Sequence, residues 1–498
     1  MPAIITNKFR LNNAEQFSES FSEAANEVYY LGIGRPQPFG TLTRPDGRTD
    51  YEGTDALPNT PSDSVGREFY TYDDLVAAKR ITGSNVSFVI PRRNWTAGTI
   101  YDIYRHDYGE YTTGSTSVRK TSNSGATTLF DSNFYVLSSA RNVYKCLDNN
   151  GGATSTDEPT GVSTSVISTN DSYKWKFMYT LSAAQQANFL STDFMAVSSN
   201  ANASSDQSNV ISAAVDGSID IVKIKTPGSG GTNGTYTGVA IRGDGSGGVA
   251  TVVVGGGQVT SVTVTTPGTG YTFATISNAQ IVAAGATNLA GSELDVIIPP
   301  KGGHGANAQE ELGAFFVMMN TSLEGTESAN SGDFSAVNDF RKIALFRNPT
   351  KSNAAVTNNT ARLTKAIKIA DSPTPGTFTP DEEINQATTG AVGKVVEWDA
   401  TNKILYYIQT RHNDAGVDAD GNLTAFSGAN VITGQGGSAP TGTPDTSSTG
   451  TVNNVSFTSG YSVPEIDHDT GDVLYIENRT PIQRAPDQTE NIKLVIEF

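Results

Sequence analysis

Between positions 217 and 305 the chain carries 20 glycines in 89 residues, and no other feature limits its fold as much. Glycine loses more backbone entropy on ordering than any other residue, so this density excludes long helices there. The intervals hold short β-branched runs at 219–225, 249–254, 259–265 and 294–298. Two segments are alike at an offset of 40 residues, Ile221-Val-Lys-Ile-Lys-Thr-Pro-Gly-Ser-Gly230 and Ser261-Val-Thr-Val-Thr-Thr-Pro-Gly-Thr-Gly270. Each alternates like a strand and is stopped by Pro-Gly and a glycine turn, which predicts a small inserted β domain with a twofold internal repeat over 210–310. Within it, Gly243-Asp-Gly-Ser-Gly-Gly248 reads as a turn. A phosphate loop needs a following Lys at a helix start, and here Val249 and Ala250 open a strand.

The rest of the 498 residues has the same β texture, with 37% hydrophobic and 17% charged residues and many polar turn formers. Residues 1–10 read as a strand around Ile4 and Ile5. A helix is predicted over 13–28, capped by Asn13, with Phe17, Phe21, Ala24, Ala25 and Val28 on one face. A strand with Tyr29, Tyr30, Leu31 and Ile33 follows, then a proline-broken loop over 34–67 and a short helix over 71–80. Further strands are predicted at 85–90, 100–104, 134–138, 142–147 and 173–179. In the fourth of these, Val143, Lys145 and Leu147 face one side, with Tyr144 and Cys146 on the other. Ser182 caps a helix to Leu190, with Gln185 at the reciprocal capping-box position.

Beyond the glycine-rich region, 314–319 reads as a buried strand and 340–346 as another. The order Thr379, Pro380, Asp381, Glu382, Glu383 is that of a helix start. Residues 392–398 and 403–409 form a hairpin around Asp399-Ala-Thr-Asn402. From 421 to 450 the only charge is Asp445, which predicts a flexible or extended surface excursion. Strands at 472–477 and 491–498 close the chain, the last with Ile492, Leu494, Ile496 and Phe498 on one face.

Net charge is −17 with a pI near 4.7, so the surface repels nucleic acid and anionic membranes at long range. Cys146 is the only cysteine, which excludes an intrachain disulfide and any multi-cysteine metal site. No apolar run approaches the roughly 18–20 residues of a membrane-spanning helix, and residues 1–10 lack the pattern of a secretory signal. His106, His304, His412 and His468 are scattered. His468 sits among Glu465, Asp467, Asp469 and Asp472, but the spacing is not that of a calcium loop, and a solvated turn is the favoured reading. Cys146 has no base beside it in sequence and reads as a half-buried strand position. No organised catalytic motif is present, so no catalytic residue, cofactor, metal or small-molecule substrate is expected. A glycosidic acid pair can be drawn from 51 acids, but Asp148, Asp157 and Glu158 would be arbitrary nominees. Exposed aromatics such as Tyr236 and Tyr271 in the glycine-rich region keep a carbohydrate-binding tail or fibre protein open as one rival, and a polysaccharide-degrading enzyme, whose acid pair the sequence does not exclude, stays open as another.

Arg92, Arg93 and Trp95 in Ile90-Pro-Arg-Arg-Asn-Trp95 have two readings. The arginines either stack on and pair with a partner, or pair with local carboxylates at a strand exit.

Ile4-Ile-Thr-Asn-Lys-Phe-Arg10, Ile90-Pro-Arg-Arg-Asn-Trp95, Val143-Tyr-Lys-Cys-Leu-Asp148, the aromatic strand holding Trp175, Phe340-Arg-Lys-Ile-Ala-Leu-Phe-Arg-Asn-Pro349, Gly471-Asp-Val-Leu-Tyr-Ile-Glu-Asn-Arg-Thr-Pro-Ile482 and Asp487-Gln-Thr-Glu490 together resemble the dimeric baseplate wedge subunit of T-even-type contractile-tailed phages. The blocks stand in family order over about half of the chain. The resemblance implies a mainly β fold with a β-sandwich core, short helices in edge loops, a homodimer, contacts with other wedge proteins in the virion tail baseplate, and no catalysis. Core segments are then expected at 1–209, 311–362 and 461–498. Insertions are expected at 210–310 and 363–460, which a rigid core tolerates because lengthening a loop costs little. In the C-terminal block Asn478, Arg479, Pro481, Asp487 and Gln488 are the candidates for structural or interface roles; turn stabilisation between the last two strands is the alternative.

Overall fold

The computed structural model describes residues 5–23, 27–34, 71–113, 116–120, 122–324, 340–410, 416–482 and 488–498. The fold is mainly β, with 41% strand and 12% helix, the helices short and set among antiparallel sheets. The chain forms two compact units: Met1–Gln16, Ser87–Met318 and Val495–Phe498 make the first, Phe17–Val86 and Met319–Leu494 the second.

Near the N-terminus the sequence expectation fails. A helix, Asn7–Glu19, stands where a strand was expected, and it ends well short of residue 28. Thr6 begins it, because the Phe9 amide donates to the Thr6 carbonyl at 3.0 Å and to its Oγ1 at 3.3 Å. Thr, like Asn13, is a good cap, and the earlier one is used, burying Leu11 and Ala14. The 34–67 loop falls on residues outside the described ones, apart from Gly34.

In the first unit a four-stranded sheet runs in the order Tyr135–Leu137, Asn142–Asp148, Lys174–Thr180, Ile167–Ser168. The expected alternation holds. Val143 and Leu147 join one apolar cluster with Val89, Phe134 and Phe315, while Tyr144 and Cys146 join another with Tyr101, Tyr173 and Trp175. Both faces are therefore covered, and Cys146 is fully buried, not half-buried. Residues 100–104 form no strand. Asp102 and Tyr104 donate single backbone bonds to Asn133 and Cys146, so the segment is pinned at points without a ladder. The Ser182 capping box is present: Ser182 accepts from the Gln185 amide at 3.2 Å, and Gln185 Oε1 accepts from the Ser182 amide at 2.9 Å.

Glycine density in the 217–305 stretch serves close packing. This stretch has an apolar cluster drawn only from its own neighbourhood, Ile219 to Ile298. Val222–Ser229 pairs with Ala290–Val296, and Gly234–Ala240, Val249–Gly255 and Gln258–Thr266 form a second sheet. Tyr271 is its keystone. A Cβ on Gly245, Gly248 or Gly268 would come within 3 Å of the tyrosine ring or hydroxyl, and one on Gly217 would meet its amide nitrogen at 2.1 Å. The internal repeat is a repeat of backbone: φ is +72° at Gly228 and +71° at Gly268, and +74° at Gly230 and +73° at Gly270. Pro-Gly stops the second copy's strand at Thr266, whereas the first strand continues to Ser229 through an irregularity between Ile224 and Thr226.

In the second unit a five-stranded sheet runs Thr360–Arg362, Leu75–Ile81, Tyr29–Gly34, Phe340–Arg347, Asp472–Ile482. Among the described residues the helix expected over 71–80 covers only 71–74, after which Leu75–Ile81 pairs with Tyr29–Gly34. Strand pairing there overrides helical spacing. A seven-stranded sheet contains the expected hairpin, with Ala391–Asp399 and Ile404–Ile408 turned by Asp399, whose Oδ1 accepts the amides of Thr401 and Asn402.

Two further expectations are corrected in this unit. The helix start at Thr379 is a turn: Glu382 Oε2 accepts from the Thr379 amide at 3.0 Å, Asp381 takes a positive φ, and Glu383–Gln386 enters the sheet opposite Ala391 to Lys394. The low-charge stretch 421–450 is built into structure, since Ile432–Gly434 and Thr441–Gly442 belong to the sheet and Phe426 and Ile432 are buried.

Candidate functional site

The C-terminal block folds into two long strands, Asp472–Ile482 and Thr489–Glu497. The first is the terminal strand of the five-stranded sheet. The second is the terminal strand of a four-stranded sheet in the order Phe194–Ala196, Val86–Pro91, Phe316–Glu324, Thr489–Glu497. A terminal strand keeps one row of backbone donors and acceptors off the ladder of its own sheet.

A cleft of about 460 Å³ opens between Phe340 and Ile343 on one strand, Glu477 and Arg479 on the next, and residues 488–494. Residues of one parity, Glu477 and Arg479, present a strand face to it. Seven consecutive residues line the other side, so there the strand presents its edge. Charges of both signs stand around an apolar floor: Arg479 NH1 lies 3.9 Å from Glu477 Oε1, and Gln488 Nε2 donates to Glu490 Oε1 at 3.0 Å. Partial burial pulls the Lys493 ammonium below its ordinary range.

The structure thus brings Arg479 and Gln488 together at one cleft. Asn478 sits opposite Lys342 in the ladder, and Pro481 lies in the terminal strand, the kind of strand that tolerates a missing N–H. Asp487 lies outside the described residues.

Arg92, Arg93 and Trp95 belong to the first unit, and within the chain the arginines are held by carbonyls and an amide in place of the local carboxylates expected. Arg92 donates to Asn94 Oδ1 at 2.9 Å and to the Ser191 carbonyl at 2.8 Å. Arg93 donates to the carbonyls of Ser132, Phe130 and Asp131 and lies over the Tyr135 ring at 4.7 Å. Their partners are thus carbonyls and an amide, which hold the strand exit. Trp95 Nε1 donates to Ser155 Oγ at 3.1 Å.

His468 lies in an exposed turn ahead of the Asp472–Ile482 strand, as expected, and its ring is tethered there: its Nε2 meets Asp73 Oδ1 at 2.8 Å and its Nδ1 meets Asp469 Oδ2 at 2.6 Å. Burial lowers its basicity, but the hydrogen bond and charge of Asp73, reinforced by Asp469, outweigh that and raise it above the ordinary value. Tyr271 is buried, not exposed, with its hydroxyl donating to the Ile241 carbonyl at 2.9 Å; Tyr236 is half-buried and donates to the Thr232 carbonyl. Among the described residues no group of His, Cys, Asp and Glu is arranged to hold a metal ion.

A buried charged cluster in the first unit was missed. Lys145 pairs with Glu311, both essentially inaccessible, and burial lowers the Lys145 and Lys176 ammonium groups while raising Asp220. His304 is buried beside them, edge-on to Tyr104 at 4.9 Å, and burial holds it far below its ordinary basicity. The signal in the sequence was a lysine on the Val143 and Leu147 face of an otherwise apolar strand.

No protein-family model and no curated protein sequence was found to match the chain.

Proposed function

We propose that this chain is a structural subunit of the baseplate wedge of a contractile-tailed phage, a homodimer that joins neighbouring wedge proteins, with no enzymatic role. It is made in the host cytoplasm and works in the tail baseplate of the virion. The ordered blocks that resemble the wedge subunit support this reading. The observation that carries it is that the strongest block, 471–482, forms a terminal strand bordering the Arg479 and Gln488 cleft. A strand edge beside charges of both signs suits a partner protein better than a small substrate. Several moderate interfaces of this kind hold an assembly together through multivalency. Antiparallel sheets supply a rigid frame for the rearrangement of tail contraction.

A cryo-EM reconstruction of intact tails tests the proposal. Two copies are expected in each peripheral wedge. Finding the chain only in distal fibres, or absent from the particle, would overturn it.

A further inference from the structure

We propose that Lys145 and Glu311 condense into an intramolecular isopeptide bond that staples the first unit. The inference is independent of the wedge reading. Lys145 lies on the Asn142–Asp148 strand and Glu311 on the short Ala308–Leu312 helix, 166 residues apart in sequence. Their side chains are 0% and 1% exposed, and Nζ contacts Oε2 directly.

The two carboxyl oxygens have different surroundings. Oε1 accepts the Gly305 amide at 2.8 Å and the Asn307 amide at 3.1 Å; Oε2 faces Nζ and takes a longer contact of 3.1 Å from the Gly305 amide. Donors aimed at one oxygen stabilise the negative charge that develops there when an amine adds to the carboxyl carbon. Gly305 is required for this, because it sits at φ +96° and a Cβ would meet Val210 Cγ1 at 2.4 Å. The Tyr104 ring, 4.9 Å from Nζ, closes the other side.

A fully buried ion pair is costly, and the step begins with the passage of one proton from Nζ to Oε2 across their contact, which leaves an amine able to attack. Nζ then attacks Cδ. The Nζ–Cδ bond forms and the Cδ–Oε2 bond breaks. Oε2 leaves as water, carrying its own proton and one from Nζ, with no change of oxidation state. The amide oxygen is Oε1 and keeps the Gly305 and Asn307 donors. Holding the reactants in contact supplies an effective molarity on the order of 10⁵ M or more, which replaces activation by a cofactor. Both charges vanish from the interior.

Tryptic mapping of the purified full chain tests this. The expected result is a branched peptide joining the Lys145 and Glu311 segments, lighter than their sum by one water, with cleavage after Lys145 lost. A Lys145→Arg chain keeps the charge and should give only the linear peptides. Complete recovery of unmodified wild-type peptides, cleaved after Lys145, overturns the proposal whether or not the variant folds.

Discussion

His468 bridges two carboxylates, with Nε2 on Asp73 at 2.8 Å and Nδ1 on Asp469 at 2.6 Å, an arrangement in which the protonated ring donates from both nitrogens and which therefore favours the cation. Its folded pKa lies above the ordinary 6.5. A raised value means that the folded state binds the proton more tightly. The contribution to stability is therefore complete below pH 6.5 and is lost as pH rises through the folded pKa. NMR titration of the His468 ring should give a midpoint above 6.5, and His468→Gln should flatten the pH dependence of Tm above that pH. A ring titrating at or below 6.5 would contradict the bridge.

Lys342 and Asp74 form a buried pair at 2.6 Å, with side chains 6% and 1% exposed. Removing one partner leaves the other charged in the interior. Lys342→Met should destabilise the protein by about 3–5 kcal/mol, and adding Asp74→Asn should recover part of that loss. Urea unfolding of the two variants measures it; equal losses would show that the pair is not coupled.

Gly238 and Gly268 share φ +71° but differ in surroundings. Nothing lies within 4 Å of a Cβ on Gly238, whereas one on Gly268 would meet the Gly248 nitrogen and the Ser246 oxygen at 2.6 Å. Gly238→Ala should cost only the left-handed backbone penalty of about 1–2 kcal/mol. Gly268→Ala adds overpacking and should cost about 3 kcal/mol or more. Similar melting temperatures for the two would refute the packing role of the second glycine.

Arg479 is partly exposed at the cleft, and its 3.9 Å contact with Glu477 is worth little to stability. Arg479→Glu should leave Tm unchanged within error. On the proposed wedge reading, with the cleft receiving a partner, incorporation into particles should fall about tenfold, the size of a modest interface hot spot. Quantitative mass spectrometry of purified tails from complemented infections measures this, and undiminished incorporation would remove Arg479 from the interface.

What was legible in the sequence was what neighbours along the chain decide. Ser182 and Gln185 satisfy each other three residues apart, Asp399 turns its own hairpin, and the alternation of Val143 with Tyr144 sorts one strand between two clusters. The presence of Arg479 and Gln488 at one cleft was half legible: both fell in one suspected block, but not the apolar floor of Phe340 and Ile343. The 379–383 segment failed because a cap followed by acids serves a turn as well as a helix. Pairing with residues 391–394 made the choice.

By itself the sequence determined the β character of this protein, the absence of long helices across 217–305, and the local caps and turns, because these follow from backbone entropy and short-range hydrogen bonding. Only the tertiary structure decided that the glycines close around Tyr271, that Leu75 to Ile81 becomes a strand, that His468 joins Asp73, and that Lys145 meets Glu311 across 166 residues. Each of these depends on which distant atoms arrive to fill a space or answer a charge, and no local preference encodes that arrival.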